Sequence, residues 1–268
     1  MPNPDEKEFV LTRSQDQVFE ILLNRPEKRN AINWPLMLAL GEAIDQAEMT
    51  PNIRAVLIRG EGPVFSSGID LIAFPELAET FGENWREGID RVTRAFQSIL
   101  NKVERCTFPT IALLRGFALG LGFELALACD FRIAVRHTKM ALPETRLGLI
   151  PDVGGTTRLV HLVGPARAKE IILTGRTIDL EKAEAWGLVN AVVPDKELLP
   201  TGIALAEEIA NSAPLAVSYA KQVINQLADI ERGLQLEALA QIHLMQTEDT
   251  MTGVQAMLTK TKPKWRGK

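Results

Sequence analysis

One stretch, RGFALGLGFELALACD at residues 115–130, joins a residue able to do acid–base chemistry to a backbone able to assist it. Gly116, Gly120 and Gly122 precede an apolar run in which Ala126, Ala128 and Cys129 are small. Glycine ahead of a helix permits unusual backbone angles and the close approach of a ligand. The first N–H groups of such a helix, near Leu121, lack intrahelical partners and carry the positive end of its dipole. They form a receptor for an oxygen bearing negative charge. Glu124 is the one carboxylate in this apolar first turn, and an acid so placed suits general acid–base work. The same residues also fit a purely structural strand-to-helix turn, because glutamate near a helix N-terminus is favourable without chemistry. Two phosphate-binding patterns are excluded. Leu125 stands where G-x-G-x-x-G needs its third glycine, and no G-K-[ST] follows.

The elements that must position this stretch lie on both sides of it. Apolar runs at 110–114 and 131–135 read as flanking strands, and 8–13, 17–23 and 55–59 as earlier ones. The spacing of Leu36, Leu40, Ile44 and Ala47 predicts a helix over 34–48. Ile89, Val92, Phe96, Ile99, Leu100 and Val103 predict a longer one over 85–106. Two further glycine-bearing loops recur: 64–71, directly after a strand, and 147–156, where Gly154-Gly155 admits a helix start near Thr156. Asp152, in the second loop, suits a turn or helix cap. Helices at 166–173 and 180–186 and a strand at 188–193 follow. From there only helix is expected, at 199–210, 214–227, 234–247 and 250–260. Strand, glycine loop and helix alternate first and helix alone ends the chain. This predicts an α/β or α+β core of stacked turns, without a long-period repeat.

Composition narrows the function. The 268 residues can bury a sizeable core, and 46% apolar with 24% charged residues is ordinary for a globular chain. A net charge of −4 offers nucleic acid no basic face, so no nucleic-acid partner is expected. Only the tail at 260–268, KTKPKWRGK, is strongly basic; it is either solvated or able to bind phosphate. No uncharged apolar run reaches membrane-spanning length, and MPNPDEKEF has no signal-peptide pattern, so no membrane partner is expected. Cys106 and Cys129 are too few for a disulfide framework and fit a reducing compartment, the cytoplasm. His137, His161 and His243 lack metal-ligand spacing, and no metal site is expected.

Taken in order, the motifs resemble the enoyl-CoA hydratase/isomerase (crotonase) superfamily over nearly the whole chain. They are Asn24-Arg-Pro with Asn30-Ala31, Phe65-Ser-Ser-Gly-Ile-Asp70, Gly116 to Glu124, Cys129-Asp130, Pro143-Glu144 and Gly148-Leu-Ile-Pro151. Gly154-Gly155-Thr156 with Arg158-Leu159, and Thr174-Gly175-Arg176, complete the set. The resemblance implies a spiral core of repeated ββα turns over 1–198 and a helical oligomerisation region over 199–268. It also implies a homotrimer or dimer of trimers, an acyl-CoA thioester substrate, and no separate cofactor.

The resemblance also assigns residues. Backbone N–H groups of Ile69 and Leu121 would form an oxyanion hole, although the family usually has Ala and Gly there. Two such donors stabilise the charge that reaction at the α-carbon pushes onto the thioester oxygen. Glu124 and Glu144 fall on the two acid–base positions, and close carboxylates push their pKa values apart. CoA would lie against the loop holding Arg25, Lys28, Asn30 and Ala31 and against Lys260, with Gly68, Asp70 and Gly120 beside the thioester. Met257, Trp265 and bulky residues of 72–81 would line acyl space, or simply pack. The leading expectation is a hydratase acting on a trans-2-enoyl-CoA. The enzymatic alternative is a dienoyl-CoA (3,5 to 2,4) or enoyl-CoA isomerase: Asp152 matches an acidic residue of dienoyl-CoA isomerases, which use it with the Glu144 equivalent, yet those enzymes usually have Asp at the position of Glu124. An acyl-CoA-binding scaffold is the non-enzymatic alternative.

Overall fold

The computed structural model describes residues 8–226 and 247–268. The helix expected at 234–247 therefore lies, except for Thr247, outside the described residues, as does the last residue of that expected at 214–227. Strands β1 (Val10–Gln15) and β2 (Val18–Leu23) form an antiparallel hairpin whose turn holds Asp16 at φ 54°. Strands β3 (Ala55–Gly60), β4 (Thr110–Leu114), β6 (Phe131–Val135) and β8 (Ala191–Val193) then add in parallel. The sheet order is β1-β2-β3-β4-β6-β8. Between these lie β5 (Phe117–Leu119) and β7 (Lys139–Ala141), a separate parallel pair.

Side chains of a strand alternate between faces, and both faces of the sheet are covered at its centre, so β4 is buried along its whole length while β1 at the edge ends polar and exposed. Val56, Ile58, Ala112, Leu114 and Ala134 share one core with α1 (Trp34–Met49), α3 (Ile89–Arg105), α4 (Leu121–Ala128) and α5 (Gly155–Thr174). Ala55, Leu57, Ile111, Leu113 and Ile133 form a second with Leu198 and Ala206 of α7 (Leu198–Ala210). A Cβ on Gly202 of α7 would lie 2.8 Å from Leu113, which shows how closely this helix sits. The α7 helix thus packs on the second face of the sheet.

Several boundaries differ from those expected, each for a local reason. Helix α2 (Phe74–Phe81) was not anticipated, and α3 begins at Ile89 because Gly88 closes a turn onto Asn84. Strand β8 starts late because the N–H groups of Leu188 and Val189 both donate to Ala183, finishing α6 (Leu180–Ala185). Helix α5 begins at Gly155 and is broken at Gly164, φ 78°, before Pro165, so the expected 166–173 helix is its second half. No helix of the described residues is long and apolar enough to cross a membrane.

Candidate active site

Every residue of α4 is buried, so Glu124, at 2% exposure, must find its hydrogen bonds inside the protein. Its Oε1 accepts the N–H groups of Val153 at 2.9 Å and Gly155 at 2.8 Å, in the turn that opens α5. A Cβ on Gly155 would stand 2.7 Å from that oxygen, so only glycine lets the turn approach. Burial pushes the Glu124 carboxyl up, the Gly155 N–H works against it, and the charges of Glu144 and Asp152 add to the rise. The result is about 8.

Glu144 opens a short 3-10 turn (Glu144–Leu147) after β7. A Cβ on Gly120 would lie 2.9 Å from its Oε1, so this carboxyl sits directly against the start of α4. Its Oε2 is buried without a hydrogen-bond partner among the described residues. Burial, with the Asp152 charge adding to it, raises its pKa above the ordinary glutamate value. A buried, unsatisfied carboxyl oxygen beside a second high-pKa carboxyl marks a place for a polar ligand atom.

Both glutamates line a cavity of about 450 Å³ that Ile69, Leu121 and Asp152 also line, between apolar walls including Leu77, Trp85 and Phe96. A larger cavity of about 730 Å³ contains Asp130 and Lys221 and none of these groups. Asp152 does not cap α5, whose cap is Gly154 without a side-chain bond. Its Oδ2 instead accepts from Thr93 Oγ1 at 2.6 Å, and its carbonyl accepts from Gln97 at 2.6 Å, so α3 holds it from both ends.

The backbone lining the cavity comes from two glycine loops pinned together. Ser66 pairs with Ala118 in a parallel bridge, and a Cβ on Gly122 would lie 2.6 Å from Ser66 Oγ. Gly68 at φ 96° precedes Ile69, and Gly120 at φ 49° precedes Leu121. The Gly68 carbonyl accepts from Ile32 at 2.8 Å and the Asp70 N–H donates to Ile32 at 2.8 Å. Among the described residues, neither the Ile69 nor the Leu121 N–H takes part in the backbone bonds of these loops.

The 25–31 loop is brought to the same side chiefly through internal bonds. Arg25 Nη1 donates to the Ala31 carbonyl at 2.5 Å and pairs with Asp70 Oδ2 at 3.0 Å. Asn30 is fully buried and donates to the Glu61 and Val64 carbonyls, each at 2.9 Å. Arg25, Asn30 and Asp70 therefore spend their side chains on holding the two loops together, while Lys28 is exposed. Lys260 is exposed at the end of the last helix and does not line the cavity. Trp265 does not line it either: its Nε1 donates to Asn211 at 2.8 Å and its ring lies against Gly253. Of the bulky residues at 72–81, Leu77 does line the cavity.

Sequence reasoning missed Thr93, Gln97 and the N–H donors of Val153 and Gly155. Thr93 and Gln97 adjoin the apolar stripe of α3 and read as its solvated margin. The Gly154-Gly155 pair was the one available signal for the close turn.

The chain and its fold are similar to known proteins. Residues 13–268 match the family described as enoyl-CoA hydratase/isomerase. The chain is 37% identical over 265 residues to a carnitinyl-CoA dehydratase of Salmonella paratyphi A, covering 96% of this chain and 98% of that protein. An enoyl-CoA hydratase from Bacillus anthracis superposes with a TM-score of 0.88 at 36% identity, covering 97% of this chain and 100% of that one. DspI of Pseudomonas aeruginosa superposes with a TM-score of 0.88 at 32% identity, covering 99% of each chain.

Proposed function

Because the chain belongs to the enoyl-CoA hydratase/isomerase family, we propose that it adds water across the double bond of a trans-2-enoyl-CoA, or removes it in reverse. The observation carrying this reading is the pair Glu124, buried, and Glu144, half-buried, which line one cavity with both pKa values raised. In this reading the pair carries one proton between them, because neighbouring like charges disfavour double ionisation. Water held between them gives its proton to the ionised carboxylate as its oxygen bonds to the β-carbon. The neutral carboxyl delivers its proton to the α-carbon, and the pair ends with one proton, as it began. The Ile69 and Leu121 N–H groups receive the charge that gathers on the thioester oxygen between these events.

Coenzyme A is part of the substrate in this reading, and no separate cofactor takes part. Arg25, Asn30 and Asp70 act by fixing the loop that carries Ile69; Lys28 and Lys260, both exposed, are the cations this reading offers to the phosphates of CoA. The assembly that goes with this function is a trimer or a dimer of trimers. The dehydratase relative supports the reverse direction and suggests a 3-hydroxyacyl-CoA as the hydrated partner.

A second reading has a specific observation behind it. Asp152 lines the cavity, tied to α3 and not to a helix end, so it is available to pass a proton along a conjugated chain together with Glu144. One experiment separates the two. Purified protein is given crotonyl-CoA and a 3,5-dienoyl-CoA in separate reactions, and products are weighed by mass spectrometry. Gain of one water on crotonyl-CoA, falling by about 10²–10⁴-fold in Glu124→Gln and in Glu144→Gln, is the expected outcome. Unchanged mass with a new 2,4-diene absorbance, lost in Asp152→Asn, would replace hydration by isomerisation. Silence on both substrates would favour the binding scaffold.

A further inference from the structure

Beside the turn that holds Glu124, one arginine that does not line the cavity bonds through all three nitrogens of its guanidinium. Arg158 of α5 is 9% exposed. Its Nε and Nη2 grip the two oxygens of Glu104 at 3.1 and 3.0 Å, and Nη2 also donates to Asn101 Oδ1 at 2.7 Å. Both of those partners are on α3. The remaining arm, Nη1, donates to the carbonyl of Val153 at 3.1 Å.

That carbonyl belongs to the peptide group between Val153 and Gly154. It is flanked by the two peptide groups whose N–H bonds, from Val153 and Gly155, hold Glu124 Oε1. The guanidinium and the carboxylate thus grasp three successive peptide groups of one turn from opposite sides. Gly154 is what lets them meet: at φ 102° a Cβ there would lie 1.9 Å from Arg158 Nη1. An ion pair serving only to join α3 and α5 would need no contact with this turn. The third arm has a direction.

We propose that Arg158 is a positioning residue for Glu124, clamping the 153–155 turn to α3 so that its two N–H groups stay aimed at the carboxyl. The proposal rests on the acid–base role given to Glu124 above. A guanidinium fork makes this clamp and an ammonium does not, because only the planar fork spans Glu104, Asn101 and Val153 together. N–H donors favour the charged form of a carboxyl, so loosening the turn moves the Glu124 titration upward. The charged groups facing Glu124 are Glu144 and Asp152, and the variants below leave both in place.

The test follows Glu124 directly. Infrared difference spectra across pH isolate its carboxyl band as the one lost in Glu124→Gln, and they need no turnover. A failed hydratase reading therefore leaves this measurement intact. In Arg158→Met the Glu124 titration is expected to rise by about one pH unit. Where turnover is measured, kcat is expected to fall by about tenfold to a hundredfold with KM within about twofold, as for a misplaced catalytic group. Arg158→Lys separates geometry from charge: a shift like that of Arg158→Met supports the clamp, and return to the wild-type titration would assign the effect to charge and overturn it. An unmoved titration in Arg158→Met would also overturn it. Should Arg158→Met fail to fold, Glu104→Gln weakens the same anchor from its more exposed end, with an upward shift supporting the proposal and no shift overturning it.

Discussion

A carboxyl that keeps its proton to about 8 inside the protein, and to about 4.3 when unfolded, makes stability depend on pH. Between those values the folded chain binds more protons than the unfolded one. The contribution of Glu124 is therefore fully present below the lower value and is lost as pH rises through the upper one. Glu124→Gln keeps a carbonyl oxygen for the Val153 and Gly155 N–H groups and has no proton to lose. Thermal melts at acidic and mildly alkaline pH should show the variant flatter than wild type, and more stable on the alkaline side by on the order of a few kcal/mol. Equal pH sensitivity in the two proteins would contradict the burial argument. Glu124 was legible in the sequence because it is the only carboxylate in an apolar turn. Arg25 and Asn30 were legible as members of a charged loop but not as buried clips: residue type says what a side chain can bond, and only the fold brings Asp70 and the Val64 carbonyl to it.

At the scale of elements, the start of α5 does two things, opening a helix and supplying donors to its neighbour. Gly155 has a helical backbone that alanine adopts readily, so Gly155→Ala gains helix propensity and tests the contact alone. Its new methyl would meet Glu124 Oε1 at 2.7 Å and Pro151 Cβ at 2.9 Å. We expect circular dichroism to report a folded protein while steady-state kinetics report kcat down by about a hundredfold; full activity would mean that the turn has room to spare. The Gly154-Gly155 pair announced this helix start within a residue. The β5 and β7 strands were illegible because three residues each carry no period. Helix α2, likewise, is brief and holds Pro75 near its start, so no face repeats often enough to be read.

Across the whole molecule, α8 (Pro214–Asn225) is fastened to the sheet by a buried charge. Lys221 Nζ pairs with Asp130 Oδ2 at 2.7 Å and donates to the Phe108 carbonyl at 2.9 Å. Asp130 also accepts from the N–H and hydroxyl of Thr110. Lys221→Met leaves this carboxylate facing an apolar side chain and should lower unfolding free energy by about 3 kcal/mol, read as an earlier urea midpoint; an unmoved midpoint would mean the pair adds nothing. Alternation of strand and helix made the layered core legible, but not the side of the sheet on which α7 lies, since its apolar face suits either a core or a neighbour. That side has a consequence for the chain while it is being made. The main sheet follows the chain, so β3, β4, β6 and β8 each emerge to meet an edge already built. Its second face does not: Leu57, Ile111 and Ile133 wait uncovered until residues 198–210 follow. A ribosome paused between β6 and α7 would thus present a paired but half-clothed sheet, the interval at which a nascent-chain chaperone has most to shield.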